Sequence, residues 1–184
     1  MPDPPGGSTD PGVADHPPRF EETVVTWDAF LSADVRAMEA LIGPMMSEDA
    51  HGFLTNWLAH SEPLDLAGYT QMLMTRQSLM RDWALWFAEI DLVLTPTWTQ
   101  LPFTHGWDSE SPEHAAATLE LMRCVTPANL LGLPSACVPT GLVDRVPVGV
   151  LLTGERFADD KTLDAAAVIE ATLGLDTPID PSYG

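Results

Sequence analysis

The chain has 184 residues, with 27 acidic against 8 basic side chains and a formal charge of −19. A field of that sign repels nucleic acid and anionic membranes, so the sequence excludes both as partners. No apolar run approaches the roughly 18 residues of a membrane span, and the start, MPDPPGGSTDPG, has neither the basic beginning nor the apolar stretch of a signal peptide.

Residues 1–18 are rich in Pro, Gly and Asp and show no periodicity, which predicts a disordered leader. From Thr26 the pattern is helical. Trp27, Phe30, Leu31, Val35, Met38, Leu41 and Ile42 recur at three- and four-residue spacing until Gly43-Pro44 stops the run. A shorter amphipathic helix carries Phe53, Leu54, Trp57 and Leu58. A long one follows from about Asp65 to Glu89, with a stripe of Met and aromatic residues that reads as core packing. DLVLTPT, from Asp91 to Thr97, is short, apolar and closed by Pro96, as a buried strand is. An aromatic-rich loop leads to SPEHAAATLELMR, a helix with Ser111 as N-cap and Pro112 in the first turn. TPANLLG repeats that grammar with Thr126 as the cap and Gly132 as the stop. SACVPT is a second buried strand, GLVDRVP a turn and VGVLLTG a third strand. The last helix, DDKTLDAAAVIEATLG, is capped by Asp159 or Asp160 and ended by Gly174.

The order, several helices followed by about three core strands and a final helix, defines an α/β class. It predicts a helical part over 26–90, a strand-containing part over 91–175 and a tail over 176–184. Three strands buried on both faces make a poor sheet alone, and nothing before residue 91 offers a neighbour. The two cysteines, Cys124 and Cys137, lie in apolar contexts without metal-type spacing and read as buried free thiols in a reducing cytoplasm.

The second half resembles the C-terminal region of the amidase-signature family. The resemblance rests on the long helix with Arg76 and Trp83 ending in FAEIDLVLTPT, on NLLGLPSACVPTG, and on VPVGVLLTGERFADDKTLDAAAVIE. DHPPRFEETVVTWDAFLSADV is more weakly similar to the segment upstream, so that the likeness runs from about Asp15 to Leu175. It implies that residues 19–184 form a partial amidase-like domain, the C-terminal portion of an α/β/α mixed-sheet fold. It also implies hydrolysis of carboxylic amides without metal or organic cofactor. The family uses a serine nucleophile, a second serine in a cis peptide and a lysine base, with backbone N–H groups as an oxyanion hole.

Nothing in this chain matches those catalytic residues. The sole lysine, Lys161, follows two aspartates at the start of the last helix, as an exposed helix residue does. PGGSTDPG around Ser8 looks superficially like a nucleophile segment but runs into VADHPP rather than a helix. Ser135 has no histidine or lysine nearby in sequence to act as its base, and reads as a structural serine at the entry to a strand. His51 and His60, like His105 and His114, are spaced unlike a zinc motif. Asp108 and Glu110 beside His105 read as a solvated loop. The substrate-pocket candidates are Thr97, Trp98, Phe103 and Trp107, because aromatic residues leaving the C-terminal end of a strand line clefts in α/β sheets. Asn129, Gly132, Pro134, Pro139 and Gly149 are the candidate structural motif, with Asn129 bonding nearby backbone.

Three functional readings follow. The chain is the C-terminal part of an amidohydrolase, silent alone, that meets a small amide substrate once an N-terminal catalytic portion completes it. Alternatively, it is a non-catalytic module or remnant that docks on a partner chain or on itself through exposed strands and helix faces. An independent hydrolase built on Ser135 is the third.

Overall fold

The computed structural model describes residues 16–174. Most of the expected leader and the whole of the expected tail therefore lie outside the described residues. Six α-helices and three strands follow one another in the order α1 (Phe20–Ile42), α2 (Glu48–Leu58), α3 (Leu66–Phe87), β1 (Leu92–Pro96), α4 (Pro112–Leu121), α5 (Thr126–Leu131), β2 (Ser135–Val143), β3 (Val146–Gly154) and α6 (Asp159–Leu173). Short 3₁₀ turns cover Gly43–Met45 and Trp107–Ser109.

α1 begins at Phe20, not at Thr26. Pro17 and Pro18 end the preceding chain, Glu21 and Glu22 place negative charge at the helix N-terminus, and Arg19 binds Glu22 at 2.7 Å. The same guanidinium reaches Ser78 and Asp82 on α3, tying the two helices together. Ser47 caps α2, accepting from Ala50 N–H, and Asp65, near which the long helix was expected to begin, caps α3, accepting from Gly68 N–H. Ser111 caps α4 in the same way.

Two expected caps differ. Thr126 is the first residue of α5 and its hydroxyl turns back to Arg123 O, while the N-cap is Val125. α6 is preceded by Ala158, and Asp159 and Asp160 occupy its first turn without capping it through their side chains. They act on the helix dipole instead.

The core sits between the helices and extends to the sheet. Leu79, Trp83 and Phe87 of α3 are buried with Trp27 of α1 and with Leu130 and Leu131 of α5, and Val93 of β1 packs against them. A second cluster joins Val35, Leu54, Trp57, Leu58 and Ala115. Two indoles inside this layer are paired: Trp83 Nε1 donates to Thr23 Oγ1 at 3.3 Å, and Trp57 Nε1 to Asp28 Oδ1 at 2.7 Å. Arg36 donates to Leu58 O and Ser61 O, closing the C-terminal end of α2.

The sheet is antiparallel throughout, in the order β1-β3-β2. The segment read as a turn, GLVDRVP, is mostly strand. Only Asp144 and Arg145 form the turn, both at positive φ, the two-residue geometry whose twist suits a hairpin. Both strands are nine residues long in consequence. The central strand needs glycine at Gly149, where a Cβ would lie 2.9 Å from Val138 O.

The strands are not buried on both faces, which corrects the sequence expectation. Cross-strand pairing puts Leu94, Leu152, Ala136 and Val138 on one face. α6 packs on that face over β2 and β3 and does not extend over β1, so Leu94 is 59% exposed while Val138 is buried. The other face meets the helical layer through Val93 and Leu151, but Ser135, Cys137 and Pro139 at its β2 side are exposed. Apolar composition alone does not distinguish a strand that is covered from one whose cover is incomplete.

Candidate functional site

β1 ends at Pro96, and the chain then crosses the end of the sheet. Thr97 N–H donates to Gly149 O, continuing the ladder by one residue. Because Gly149 has no side chain, Cys137 Sγ fills the space over it and lies 3.1 Å from Thr97 Oγ1. Strand residues on either side of β3 thus meet across its glycine. Trp98 follows, 38% exposed, and its ring stands between two hollows. The smaller, about 220 Å³, lies over Thr97, Cys137 and Gly149. The larger, about 590 Å³ and open to solvent, is lined by strand residues including Leu94, Thr140, Val148 and Val150 and by the loop through Leu101. Only the larger is of the size that takes a small organic ligand.

The other two pocket candidates lie elsewhere. Phe103 packs on Trp98 at 6.2 Å and on Trp107 at 5.1 Å between ring centroids. Trp107 stacks on His114 of α4 at 4.2 Å. Neither Phe103 nor Trp107 is among the residues lining either hollow. They form a chain of rings that holds the loop to α4, anchored by His114 Nδ1 against Trp107 O at 2.9 Å.

Gly132 ends α5 in the left-handed conformation. Pro134 O accepts from Gly154 N, which joins the end of β3 to the entry of β2. Pro139 is on an outer strand, just before a bulge. Asn129 is exposed on α5, and its side chain makes no hydrogen bond among the described residues. The side chain that does bind the α5 backbone is Arg76, whose Nε donates to Leu130 O at 2.6 Å.

Ser135 Oγ pairs with Thr153 Oγ1 at 2.9 Å, a hydroxyl that cannot serve as a base at neutral pH. Lys161 is exposed, and its Nζ is 2.6 Å from Asp91 Oδ1. That hydrogen bond holds the Asp91 carboxyl below its usual range. Glu110 approaches His114 at 3.3 Å rather than His105, and no three His, Cys, Asp or Glu side chains converge as a metal site among the described residues. Cys124 is half-buried, and burial pushes its thiol up. Cys137, expected inside, is exposed because it lies on the uncovered side of β2. No helix among the described residues is long and apolar enough to cross a membrane.

The hollow therefore offers apolar surface and the hydroxyl and amide groups of Thr95, Thr99, Gln100 and Thr140, with no titratable side chain in its lining. It can hold and orient a group but cannot move a proton. Of the four residues expected from the loop, Trp98 borders both hollows and Thr97 only the smaller. The strand residues Leu94, Val148 and Val150 also line the larger hollow, and the sequence did not single them out because their period-two alternation lies within continuous apolar runs.

A helical layer, a sheet and a returning helix with this motif order define a mixed α/β scaffold, and a family comparison makes it specific. The Amidase family model matches residues 35–163, and the chain belongs to the amidase-signature family. The indoleacetamide hydrolase of Bradyrhizobium diazoefficiens is 33% identical over 152 residues, 82% of this chain but 29% of the relative. A crystal structure of an amidase superposes with a TM-score of 0.65 at 21% identity, over 85% of this chain and 36% of that one. The structure of a fatty acid amide hydrolase superposes with a TM-score of 0.65 at 17% identity, over 88% of this chain and 33% of that one. The chain thus spans under two fifths of each of these proteins.

Proposed function

We propose that the chain is the C-terminal part of an amidohydrolase that converts a carboxylic amide to a carboxylate and ammonia or an amine. In this reading it supplies scaffold and one wall of the substrate cleft, from Thr97 and Trp98, and no catalytic group. Phe103 and Trp107 fix that wall in place from behind. The observation that carries the reading is the pairing of Ser135 with Thr153 rather than with a base, in a chain that belongs to an amide-hydrolysing family. Without a base within hydrogen-bond reach, a serine hydroxyl is a poor nucleophile at neutral pH. The substrate is a small amide met only after a lysine- and serine-bearing portion completes the site. No metal or organic cofactor takes part. The compartment is the cytoplasm, consistent with two free thiols.

The test is ammonia release from a panel of aliphatic, aryl and indolyl amides. The purified chain alone releases none. Mixed with the part of the Bradyrhizobium diazoefficiens indoleacetamide hydrolase that lies outside the matched region, it restores turnover. Turnover by the chain alone that is abolished in Ser135→Ala would overturn the reading and make Ser135 the nucleophile.

A non-catalytic docking module is the second reading, favoured by large apolar side chains in the open, among them Phe157 at 86% exposure and at positive φ. It predicts association with the same fragment and no turnover.

A further inference from the structure

Trp98 borders both hollows, and its backbone is pinned on either side: Thr97 N–H donates to Gly149 O and Thr99 N–H to Leu121 O. What stays free at this position is rotation of the side chain, so the indole keeps one rotamer only through what packs on it. Phe103 is the ring that packs there, 6.2 Å away between centroids. Its own backbone does not hold it, because Gln100 to Phe103 make no backbone hydrogen bond among the described residues. Phe103 leans instead on Trp107, and Trp107 lies nearly flat on His114, with the two planes 18° apart. That far end is rigid. Trp107 O and Glu110 Oε2 both face His114 Nδ1 as acceptors, so the proton sits on Nδ1 and the plane of the imidazole is fixed. His114 stands in the first turn of α4, its own N–H taken by Ser111 Oγ, and Ala115 beside it is fully buried. From α2, Asn56 Nδ2 donates to Ser109 O at 2.9 Å and holds the turn that carries Trp107.

We propose that His114 is a positioning residue: through Trp107 and Phe103 it fixes the rotamer of Trp98, and with it the partition between the two hollows and the size of the group that this wall admits. The size claim rests on the reading that Trp98 forms a wall of a substrate cleft; the rotamer claim does not. With the rings in register, the hollow of about 590 Å³ takes one small organic group and the hollow of about 220 Å³ is kept apart from it. With the stack removed, Phe103 loses its support, Trp98 rotates, the hollows join and a bulkier group enters. His114 touches neither hollow and moves no proton for the reaction, so it acts only through the rings. A stack that served local packing alone would leave Trp98, two rings away, unmoved when it is lost.

The experiment uses the full 184-residue chain labelled with fluorotryptophan, the fluorine signals of Trp98 and Trp107 being assigned from Trp98→Phe and Trp107→Phe. The natural chain is compared with His114→Ala, His114→Phe and Phe103→Leu, each shown to be folded by unchanged far-ultraviolet circular dichroism. The expected result is one narrow Trp98 signal in the natural chain, split or broadened in His114→Ala, with Trp98 more open to acrylamide quenching. Phe103→Leu does the same to Trp98 and leaves the Trp107 signal in place. His114→Phe keeps a flat ring against Trp107 and retains the narrow Trp98 signal. An unmoved Trp98 signal in His114→Ala, or a signal as broad in His114→Phe as in His114→Ala, would overturn the proposal. The size claim is read in turnover, after mixing with the fragment of the Bradyrhizobium diazoefficiens hydrolase that lies outside the matched region. There His114→Ala loses about tenfold of the preference for a phenyl over a naphthyl amide, through a lower KM for the naphthyl amide rather than a change in kcat. An unchanged preference beside a moved Trp98 signal overturns the size claim. Absence of turnover by the natural chain in that mixture overturns the amidase reading and the size claim with it, while the Trp98 signal still decides the rotamer claim.

Discussion

At the scale of single residues, Gly149 shows how one missing side chain sets the local chemistry. An added Cβ meets Val138 O at 2.9 Å and Cys137 Sγ at 3.2 Å, so Gly149→Ala forces β2 and β3 apart. Destabilisation of about 1–3 kcal/mol is expected in urea unfolding, with the approach of Thr97 to Cys137 the first to open. Asp91 gives a pH signature. Its hydrogen bond to Lys161 lowers its folded pKa, so its contribution is fully present above the ordinary carboxylate range. It fades as the pH falls through the folded value. In Lys161→Met the Asp91 carboxyl titrates at higher pH than in the natural chain, read by NMR; an unmoved titration would show that the ion pair does not form in solution. Single residues were unevenly legible. Gly132 and Gly174 were readable as helix stops because a left-handed C-cap favours glycine. Asn129 was misread, because nothing local announces that Arg76, far away in sequence, will bind the α5 backbone.

At the scale of elements, α3 and α5 are joined by that same guanidinium. Arg76→Met leaves Leu130 O at the end of α5 without its charged donor, and about 1.5–3 kcal/mol of stability is lost, measurable as a lower Tm. A loss of a few tenths would mean that water replaces the arginine. Helices were the most legible elements. Ser47, Asp65 and Ser111 stand at their N-termini with apolar residues at helical spacing behind them. All three strands were found, but β2 and β3 were cut short, because Gly141 and Asp144-Arg145 sit close together and read as one long turn. The start of α1 was missed, although Glu21 and Glu22 are a first-turn signal. Burial of the strands was overestimated for a different reason: the sequence shows which residues are apolar, and only tertiary packing shows that α6 stops short of β1.

At the scale of the whole molecule, net charge and exposed apolar surface oppose one another. Leu94, Leu142, Phe157, Leu163 and Val168 are all open to solvent on a chain of charge −19. Repulsion keeps copies apart at low ionic strength, and salt shortens its reach from roughly 10 Å at 0.1 M to 3 Å at 1 M. Sedimentation velocity is expected to show a monomer in dilute buffer and growing association as salt is added, with dye binding to apolar surface under both conditions. A monomer at all salt concentrations would indicate that these side chains are more covered than the structure shows. The family and the α/β class were legible at this scale, because motif order survives where single motifs are weak. The lining of the larger hollow was not, since Leu94, Thr140 and Val148 come together only through the β1-β3-β2 order.

That strand order also ranks events in time. β2 and β3 are joined through two residues, whereas β1 reaches β3 only after a detour of about 50 residues. Closing the longer loop carries more entropy, so the hairpin nucleates and β1 is recruited late. Stopped-flow measurements should find that Val138→Ala slows refolding, whereas Val93→Ala chiefly hastens unfolding. β1 is then the last strand to arrive and the first to leave.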